Sequence, residues 1–295
     1  MAFVSVAEMA KTWGVSARSV RNYCAQGRVP GAFLAGKTWL LPENAEKPAR
    51  SNRKFPPRTL LARLQAEKAS KFPGGIYHKT QIDLTYNSNH IEGSRLTREQ
   101  TRYIFETNTI GIANEVLNVD DVVETANHFR CVDLVIDHAA APLTEPFLKN
   151  LHLVLKNGTS DSRQDWFAVG DYKKFPNEVG GRPTTPPEEV APRMRALLAA
   201  YRAQGEKTLA DLLDFHVQFE RIHPFQDGNG RVGRLLLFKE CLRYGIVPFL
   251  IEEDLKLFYY RGLQEWDREP GYLTDTCLTA QDRYKAALDY FRVEY

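Results

Sequence analysis

The chain has 295 residues, of which 43% are apolar and 26% are charged, and its formal net charge is +2. This composition provides ample material for one large or two unequal globular domains and excludes a low-complexity chain. The small net charge hides an asymmetry, because residues 1–60 hold ten Lys or Arg and three Asp or Glu, whereas the remainder holds 29 and 34. Only the N-terminal part is therefore expected to attract nucleic acid.

Cysteine spacing and hydropathy set the expected compartment. The cysteines lie far apart and form no Cys-x-x-Cys pair, so neither a zinc site nor a disulfide framework is predicted. No basic start precedes an apolar segment, and no apolar run is long enough to cross a membrane. We therefore expect a cytoplasmic protein that is neither exported nor membrane-spanning.

Residues 1–45 are predicted to form a small domain that begins with two short helices. Ser5 and Glu8 have the spacing of a capping box at the start of a helix that Gly14 ends. Ser16 is placed to cap a second helix, which also ends at a glycine. Two short helices across a glycine turn are the helix-turn-helix arrangement.

A hairpin is predicted after these helices, since residues 29–34 and 38–41 flank a glycine turn. The segment resembles the MerR/excisionase-like winged helix-turn-helix, including the runs at 26–31 and 37–39. The resemblance implies DNA binding through Ser16, Arg18, Ser19 and Arg21. Protein contacts or dimerisation are the alternative use of such a module. Specific recognition by so small a module would need a dimer or extra arms, so a homodimer is among the expected assemblies.

Residues 46–58 are predicted to be a linker between two domains. They hold three prolines and five Lys or Arg and show no apolar period. A solvated tether is the simplest interpretation, and extra phosphate contacts beside the helix-turn-helix are the alternative.

From residue 59 to residue 295 the apolar residues fall mostly at helical spacing, so the second domain is predicted to be mainly α. Within it, residues 80–93 form a helical pattern that ends with Glu92 before Gly93. A glutamate at a helix C-terminus opposes the helix dipole, so an arginine partner is expected. A solvated glutamate at a frayed helix end is the alternative.

Residues 170–181 have alternating polarity and are bounded by glycines, which predicts a small β-hairpin. The exposed edge of a hairpin can pair with an extended segment of another protein. A solvated surface hairpin without a partner is the alternative.

The stretch 222–234 concentrates groups that bind phosphate or move protons. A helix over 209–222 is expected to deliver His223 to a glycine turn, and a new helix is expected to begin just after Gly230. Glycines allow the backbone N–H groups of such a turn to converge on phosphate, and a helix N-terminus favours the same anion. His223 is the group that accepts a proton near neutral pH.

Charged residues complete this predicted phosphate site. Asp227 suits Mg²⁺, a cation usually held by one or two carboxylates together with substrate phosphates. Arg231 and Arg234 share a helix face and can reach one anion. His216, earlier on the preceding helix, is expected to be packed rather than catalytic.

The string HPFQDGNGRVGR, residues 223–234, resembles the signature of the Fic (Fic/Doc) family at every constrained position, and a looser resemblance extends from about residue 59 to about residue 290. The resemblance implies that His223 is the catalytic base, Asp227 the Mg²⁺ ligand and Phe225 a core anchor. It places nucleotide and phosphate binding at Gly228, Asn229, Gly230, Arg231, Arg234 and Tyr260. For Tyr260, and for the adjacent Tyr259, packing in the core is the alternative to stacking on adenine.

Two further segments resemble parts of the same family. Residues 88–93 are similar to its inhibitory-helix motif, Ser/Thr-x-x-x-Glu-Gly/Asn, carried here by Ser88, Glu92 and Gly93. The resemblance implies that Glu92 pairs with Arg234 and prevents the γ-phosphate of ATP from seating productively. Residues 170–181 resemble the family's target-docking flap, with Tyr172, Lys173, Lys174 and Phe175 as its side chains, although a Lys pair stands where members often have a Tyr-Arg-like pair.

The predicted chain is thus mainly α, with a Fic-type helical domain and a small β-hairpin flap preceded by a small winged helix-turn-helix domain. The resemblance implies an autoinhibited protein adenylyltransferase that uses Mg²⁺ and ATP and transfers AMP to a Ser, Thr or Tyr hydroxyl of a protein, the chain itself included. One alternative is removal of AMP, or transfer of another nucleotide-derived group, at the same site. The other is a DNA-binding regulator whose second domain senses nucleotide.

Overall fold

A computed structural model describes residues 2–25, 27–36, 38–48, 59–111 and 116–295 of the chain. The chain divides into two compact units, Met1–Pro56 and Pro57–Tyr295, and each is described by itself. Most of the linker predicted over 46–58 lies outside the described residues, as do Gln26 and Lys37 of the predicted winged module.

The N-terminal unit combines two helices with a small antiparallel sheet. Its elements are β1 (Phe3–Ser5), α1 (Val6–Trp13), α2 (Ala17–Ala25), β2 (Phe33–Ala35) and β3 (Thr38–Pro42). The strand order is β1-β3-β2, so β3 lies in the centre. Both predicted helices and the hairpin are therefore present, whereas the strand β1 was not predicted.

Local capping explains where these elements begin and end. Ser5 and Glu8 form the predicted capping box of α1, and Gly14 ends the helix in the left-handed conformation. The Ser16 hydroxyl accepts a hydrogen bond from the Ser19 N–H and so caps α2. The predicted strand over 29–34 is shorter in the structure, because Gly31 turns the backbone with a φ of 79° before β2 begins.

The C-terminal unit is mainly helical. Its elements are α3 (Leu60–Ser70), α4 (Ile76–Ile91), α5 (Arg98–Thr107), α6 (Val119–Asp137), α7 (Glu145–Lys156), β4 (Glu178–Val179), β5 (Arg182–Pro183), α8 (Pro187–Ala203), α9 (Leu209–Ile222), α10 (Asn229–Tyr244), α11 (Lys256–Glu265) and α12 (Gly271–Phe291). Within the described ranges, none of the helices combines the length and the apolar character that a membrane span requires.

The helix α10 lies in the centre of this unit. Nearly every residue from Asn229 to Leu242 is buried, which is the pattern of a helix surrounded by protein on all sides. Against it pack α9, which buries Phe215 and Phe219, and the helices α4, α6 and α7. The turn between α9 and α10 is therefore fixed at both ends by the core.

The structure corrects the predicted position of the flap. The hairpin is β4–β5, over residues 178–183, and its turn is Gly180-Gly181, both with positive φ as a two-residue hairpin turn requires. The preceding segment is irregular, and its Tyr172 and Lys173 are buried. These two predicted docking side chains thus pack inward, whereas Lys174 and Phe175 are exposed.

Candidate active site

The turn from His223 to Gly228 joins α9 to α10. His223 ends α9 in the left-handed conformation, with φ 51° and ψ 63°, and Gly228 has a φ of 79°. The new helix begins at Asn229, two residues earlier than predicted. The first N–H groups of a helix have no acceptor within it, so those of Asn229, Gly230 and Arg231 have the arrangement that suits an anion at a helix N-terminus.

The Asn229 side chain holds this turn closed. Its Oδ1 accepts a hydrogen bond from the Phe225 N–H at 2.8 Å, and its Nδ2 donates to the Phe225 carbonyl at 2.8 Å. The Asn229 side chain is therefore occupied by the backbone, and the expected role of Asn229 in binding phosphate falls to its N–H group alone.

His152 packs against two residues of the turn, Phe225 and Asp227. Its ring stacks on the buried ring of Phe225, with centroids 4.1 Å apart and planes 4° from parallel. The Gly170 N–H donates to His152 Nδ1, so the proton of the neutral ring is on Nε2, which donates to the Asp227 carbonyl at 3.1 Å. Burial lowers the pKa of His152 to about 4, which keeps the ring neutral at physiological pH. The prediction of Phe225 as a core anchor is confirmed.

The geometry of His223 suits a proton acceptor. Its Nδ1 lies 3.3 Å from the Glu220 carbonyl, and because a carbonyl only accepts, Nδ1 carries the hydrogen. The lone pair is then on Nε2. Burial, opposed by the bond to Glu220 and reinforced by the nearby charge of Lys173, lowers the pKa of His223 to about 4. The imidazole is therefore neutral at physiological pH.

Lys173 connects the hairpin β4–β5 to the turn from His223 to Gly228, which is called the signature turn from here on. Only 3% of the residue is exposed. Its Nζ donates to Asn177 Oδ1 at 2.7 Å and to Thr184 Oγ1 at 2.5 Å, and its N–H donates to the Pro224 carbonyl. Asn177 in turn donates to the carbonyls of the signature turn. Burial lowers the pKa of Lys173 to about 8.

Asp227 lies in the signature turn, and its carboxylate contacts two cationic side chains, Lys156 and Arg231. Its Oδ2 accepts from Lys156 Nζ at 2.7 Å and from Arg231 Nη2 at 3.1 Å, and these charges hold its pKa well below the usual range against the effect of burial. Arg231 also pairs with Glu124. The two acidic partners of Arg231 are thus Glu124 and Asp227.

The residues around Asp227 offer Mg²⁺ a partial set of ligands. The Asp227 side chain is 51% exposed, and both cations bind its Oδ2. Among the described residues, no group of three or more His, Cys, Asp or Glu is arranged to hold a metal ion. One accessible carboxylate beside an anion-binding helix end fits Mg²⁺ that shares its ligands with substrate phosphates, and it does not fit a metal held by protein alone.

Arg234 is paired with Glu92, as predicted. Glu92 Oε1 accepts from Arg234 Nη2 at 2.7 Å, and Ser88 accepts at two atoms, its Oγ from Nε at 3.0 Å and its carbonyl from Nη2 at 2.9 Å. A Cβ on Gly230 would lie 2.3 Å from Glu92 Oε1, so only glycine leaves room for this carboxylate over the start of α10. Gly93, with a φ of 97°, follows at once.

A second carboxylate lies near Arg234. Burial raises the pKa of Glu220 to about 8 although the Arg234 charge opposes the shift, so Glu220 is mostly protonated at neutral pH. Glu92 therefore supplies the negative charge that Arg234 meets. His216 is buried and its Nε2 lies 2.7 Å from the Tyr259 hydroxyl, which confirms the expected packing role. Tyr259 is likewise in the core, whereas Tyr260 is 41% exposed.

The predicted DNA-binding residues lie together on the N-terminal unit. Arg18 and Arg21 are exposed on α2. The hydroxyls of Ser16 and Ser19 lie 3.0 Å apart, and Ser16 is the cap of the helix, so these two side chains have local partners.

Sequence reasoning missed Lys156, which pairs with Asp227, and it missed Glu124 and Asp161, which pair with the same lysine. Lys156 is 2% exposed and lies on the same helix face as Leu148 and His152, at spacings of four residues. A lysine on the apolar face of a predicted helix is a signal that could have found it, since buried lysines are almost always paired.

The sequence of the C-terminal unit is similar to that of known proteins. Residues 142–240 match the model of the Fic/DOC family, and they include all of α9, the turn and most of α10. Over 187 residues the chain is 27% identical to the protein adenylyltransferase Fic of Drosophila mojavensis and to that of Drosophila melanogaster, with 61% of this chain covered in each case. The chain spans about a third of the length of these relatives, 35% and 36% respectively.

Solved structures show the same fold. A Fic domain containing signaling protein from Bacteroides thetaiotaomicron superposes with a TM-score of 0.59 at 27% identity, over 79% of this chain and 91% of that one. A Fic family protein from Desulfovibrio desulfuricans gives a TM-score of 0.60 at 22% identity, over 78% of this chain and 72% of that one, and shows the fold alone. The C-terminal unit is thus similar in fold to Fic proteins, its residues 142–240 match the Fic/DOC family model, and the chain's curated relatives are named protein adenylyltransferase Fic.

Proposed function

We propose that this chain transfers AMP from ATP to a Ser, Thr or Tyr hydroxyl of a protein, the chain itself included, and that Glu92 inhibits the reaction. The observation that supports the proposal is one turn that brings together a neutral histidine, an accessible carboxylate and a helix N-terminus with two buried arginines. The relatives named protein adenylyltransferase support the same reaction class.

In the proposed reaction, Nε2 of His223 takes the proton of the target hydroxyl. The hydroxyl oxygen forms a bond to the α-phosphorus, the bond to the bridging oxygen of the β-phosphate breaks, and pyrophosphate leaves. The N–H groups from Gly228 to Gly230 bind phosphate oxygens, and Arg231 and Arg234 balance the outer phosphates. Positioning and charge stabilisation account for most of the acceleration in such transfers.

Mg²⁺ would supply positive charge to the phosphates of the nucleotide, and Asp227 is the residue that would hold it. Lys156 and Arg231 fix the orientation of the Asp227 carboxylate through its Oδ2. His223 needs no metal to be neutral, since its burial already keeps the proton off Nε2.

Inhibition follows from competition for Arg234. The guanidinium donates to Glu92 and to two atoms of Ser88, and it has few donors left for a phosphate. The Glu92 carboxylate also lies over Gly230, where its charge repels an incoming phosphate. A nucleotide can use Arg234 fully only after Glu92 has moved.

The target is proposed to dock beside the hairpin β4–β5. Its strands are exposed, and Lys173, Asn177 and Thr184 tie the hairpin base to the signature turn. An extended target segment paired with this edge by backbone hydrogen bonds would place a hydroxyl near His223. The exposed Lys174 and Phe175 are the flap side chains that remain available to a target.

The experiment is transfer of radioactive label to protein by the Glu92→Gly variant, with α-labelled and γ-labelled ATP compared in lysate and with purified protein. The proposal expects α-label on protein and no γ-label, and loss of the α-label in Glu92→Gly/His223→Ala. Label from the γ-phosphate would instead identify a kinase. Incubation of already AMP-modified protein with the wild type tests the alternative of AMP removal.

A second function, DNA binding, is proposed for the N-terminal unit. Its exposed Arg18 and Arg21 lie on one helix, and residues 1–60 carry seven more basic than acidic side chains. Phosphate contacts from such residues make binding strongly dependent on salt. The test is binding of the chain to DNA upstream of its own gene at two salt concentrations. Retention in His223→Ala and loss in Arg18→Ala/Arg21→Ala support DNA binding through α2. Absence of binding by the wild type contradicts DNA binding, and equal binding by the two variants contradicts the role of Arg18 and Arg21.

A further inference from the structure

Lys156 occupies a site made of three carboxylates. Its Nζ lies 2.5 Å from Glu124 Oε1, 2.7 Å from Asp227 Oδ2 and 3.3 Å from Asp161 Oδ2. An ammonium group has three N–H donors, so these three oxygens account for all of them. The residue is 2% exposed, and it therefore holds its charge inside the protein at the place where the carboxylates converge.

The charges of this cluster leave little attraction for a free metal ion. Three carboxylates face two cations, because Arg231 pairs with both Glu124 and Asp227. Asp227 Oδ2 in particular is shared by Lys156 and Arg231. A divalent cation that approached Asp227 alone would gain one carboxylate oxygen and would be repelled by two positive charges close by.

We infer that Lys156 is a resident cation that keeps free divalent metal away from Asp227, so that metal enters this site only together with nucleotide phosphates. The inference rests on the proposed function in that Asp227 is taken as the metal ligand. Phosphates supply the missing negative charge and further oxygen ligands, which is how Mg²⁺ is usually held. Lys156 thereby makes metal binding conditional on substrate, and it acts as a positioning residue for Asp227.

A purely structural role for Lys156 leads to a different expectation. If the lysine only ties α7 to α6 and the signature turn, its removal should lower stability and weaken any binding at Asp227. If it is a resident cation, its replacement by a neutral side chain of similar length leaves the carboxylates of Glu124, Asp161 and Asp227 with Arg231 as the one cation that pairs with them among the described residues. The affinity for a free divalent ion should then rise.

The test is titration of the full chain with MnCl₂ without nucleotide, with unbound Mn²⁺ measured by electron paramagnetic resonance. Wild type is expected to bind with a Kd of roughly 1 mM or weaker, and Lys156→Met about tenfold or more tightly. Lys156→Arg keeps the charge and should behave as wild type. Adding Asp227→Asn to Lys156→Met should remove the gained affinity.

Two results would overturn the inference. One is a folded Lys156→Met protein that binds Mn²⁺ no more tightly than wild type, with folding checked by circular dichroism. The other is wild type that binds Mn²⁺ with a Kd below roughly 0.1 mM without nucleotide, which decides the matter even if no variant folds. The titration measures no transfer, so a failure of the proposed AMP transfer would be seen separately in the labelling experiment.

Discussion

Glu92 Oε1 lies 2.7 Å from Arg234 Nη2, although 142 positions separate the two residues in the chain. Arg234 is buried in the core helix α10, and Glu92 ends α4 with 32% of its side chain exposed. The arginine is therefore fixed while the glutamate has access to solvent. Of the two partners, Glu92 is the one that can leave.

Ser88→Ala should partly relieve inhibition. The substitution removes the bond from Arg234 Nε to Ser88 Oγ and keeps the bond to the Ser88 carbonyl. A hydrogen bond to a charged group contributes about 1.5 kcal/mol or more, so transfer should rise roughly tenfold and stay below that of Glu92→Gly. Initial rates of label transfer measure the effect. Ser94→Ala, whose hydroxyl accepts from the Leu96 N–H, is the matched control and should behave as wild type.

The pH profile of transfer should reveal the lowered pKa of His223. Transfer needs neutral His223, and a pKa of about 4 keeps it neutral down to acidic pH. The rate of Glu92→Gly should therefore stay level from about pH 8 to about pH 5.5 and reach half near pH 4. A half-point near the ordinary value of 6.5 would contradict this account.

The pH profile of transfer can be interpreted only where the protein is folded, because two other buried histidines make its stability depend on pH. Burial lowers the pKa of His128 and of His216 to about 3, and both are neutral in the folded protein. A histidine whose pKa is lowered by folding stabilises the protein fully above about pH 6.5, and this contribution is lost as the pH falls toward the folded value. Circular dichroism at each pH separates unfolding from titration of His223.

Lys173→Met should move the acidic limb of the same profile to higher pH. The positive charge of Lys173 is one cause of the lowered pKa of His223, and the substitution removes it. Lys174→Met removes an identical charge from the exposed neighbouring position and serves as the control. Equal profiles for the two variants would show that Lys173 acts only as an anchor of the hairpin.

Asn229→Ala should destabilise the protein through the signature turn. The Phe225 N–H loses its partner in a buried place, which costs about 1–3 kcal/mol of the free energy of unfolding. Asn87→Ala, which removes one bond to a carbonyl of its own helix, should cost less than about 1 kcal/mol. Urea denaturation of the two variants gives the comparison, and equal losses would contradict the role assigned to Asn229.

Features encoded in neighbouring residues could be predicted from the sequence. The helix over 209–222, the turn after it and the capping box of Ser5 and Glu8 depend on residues a few positions apart, and their spacing indicates them directly. The pairing of Glu92 with Arg234 is a long-range contact, and the resemblance to a family motif predicted it where local pattern alone indicated only a need for some arginine.

Contacts that depend on tertiary packing were not predicted. Lys156 meets Glu124 and Asp227 only because α6, α7 and the signature turn pack together, and no spacing along the chain encodes this. The burial of Tyr172 and Lys173 is of the same kind. Their alternating pattern indicated a surface strand, yet Tyr172 packs under Lys149, whose Nζ lies 4.3 Å from the ring centre, and Lys173 bonds inside the hairpin base.

The proposed function requires that the site from His223 to Arg234 is competent and that Glu92 holds it inactive. Intact-mass analysis of wild type, Glu92→Gly and Glu92→Gly/His223→Ala after incubation with Mg²⁺ and ATP measures both properties at once. Glu92→Gly is expected to gain one or more adenylyl groups, at least about tenfold above wild type, since release of Arg234 removes a charge-assisted bond. The double variant is expected to show no gain. Equal modification of wild type and Glu92→Gly would contradict inhibition by Glu92, and modification that persists without His223 would contradict the role of His223 as the base.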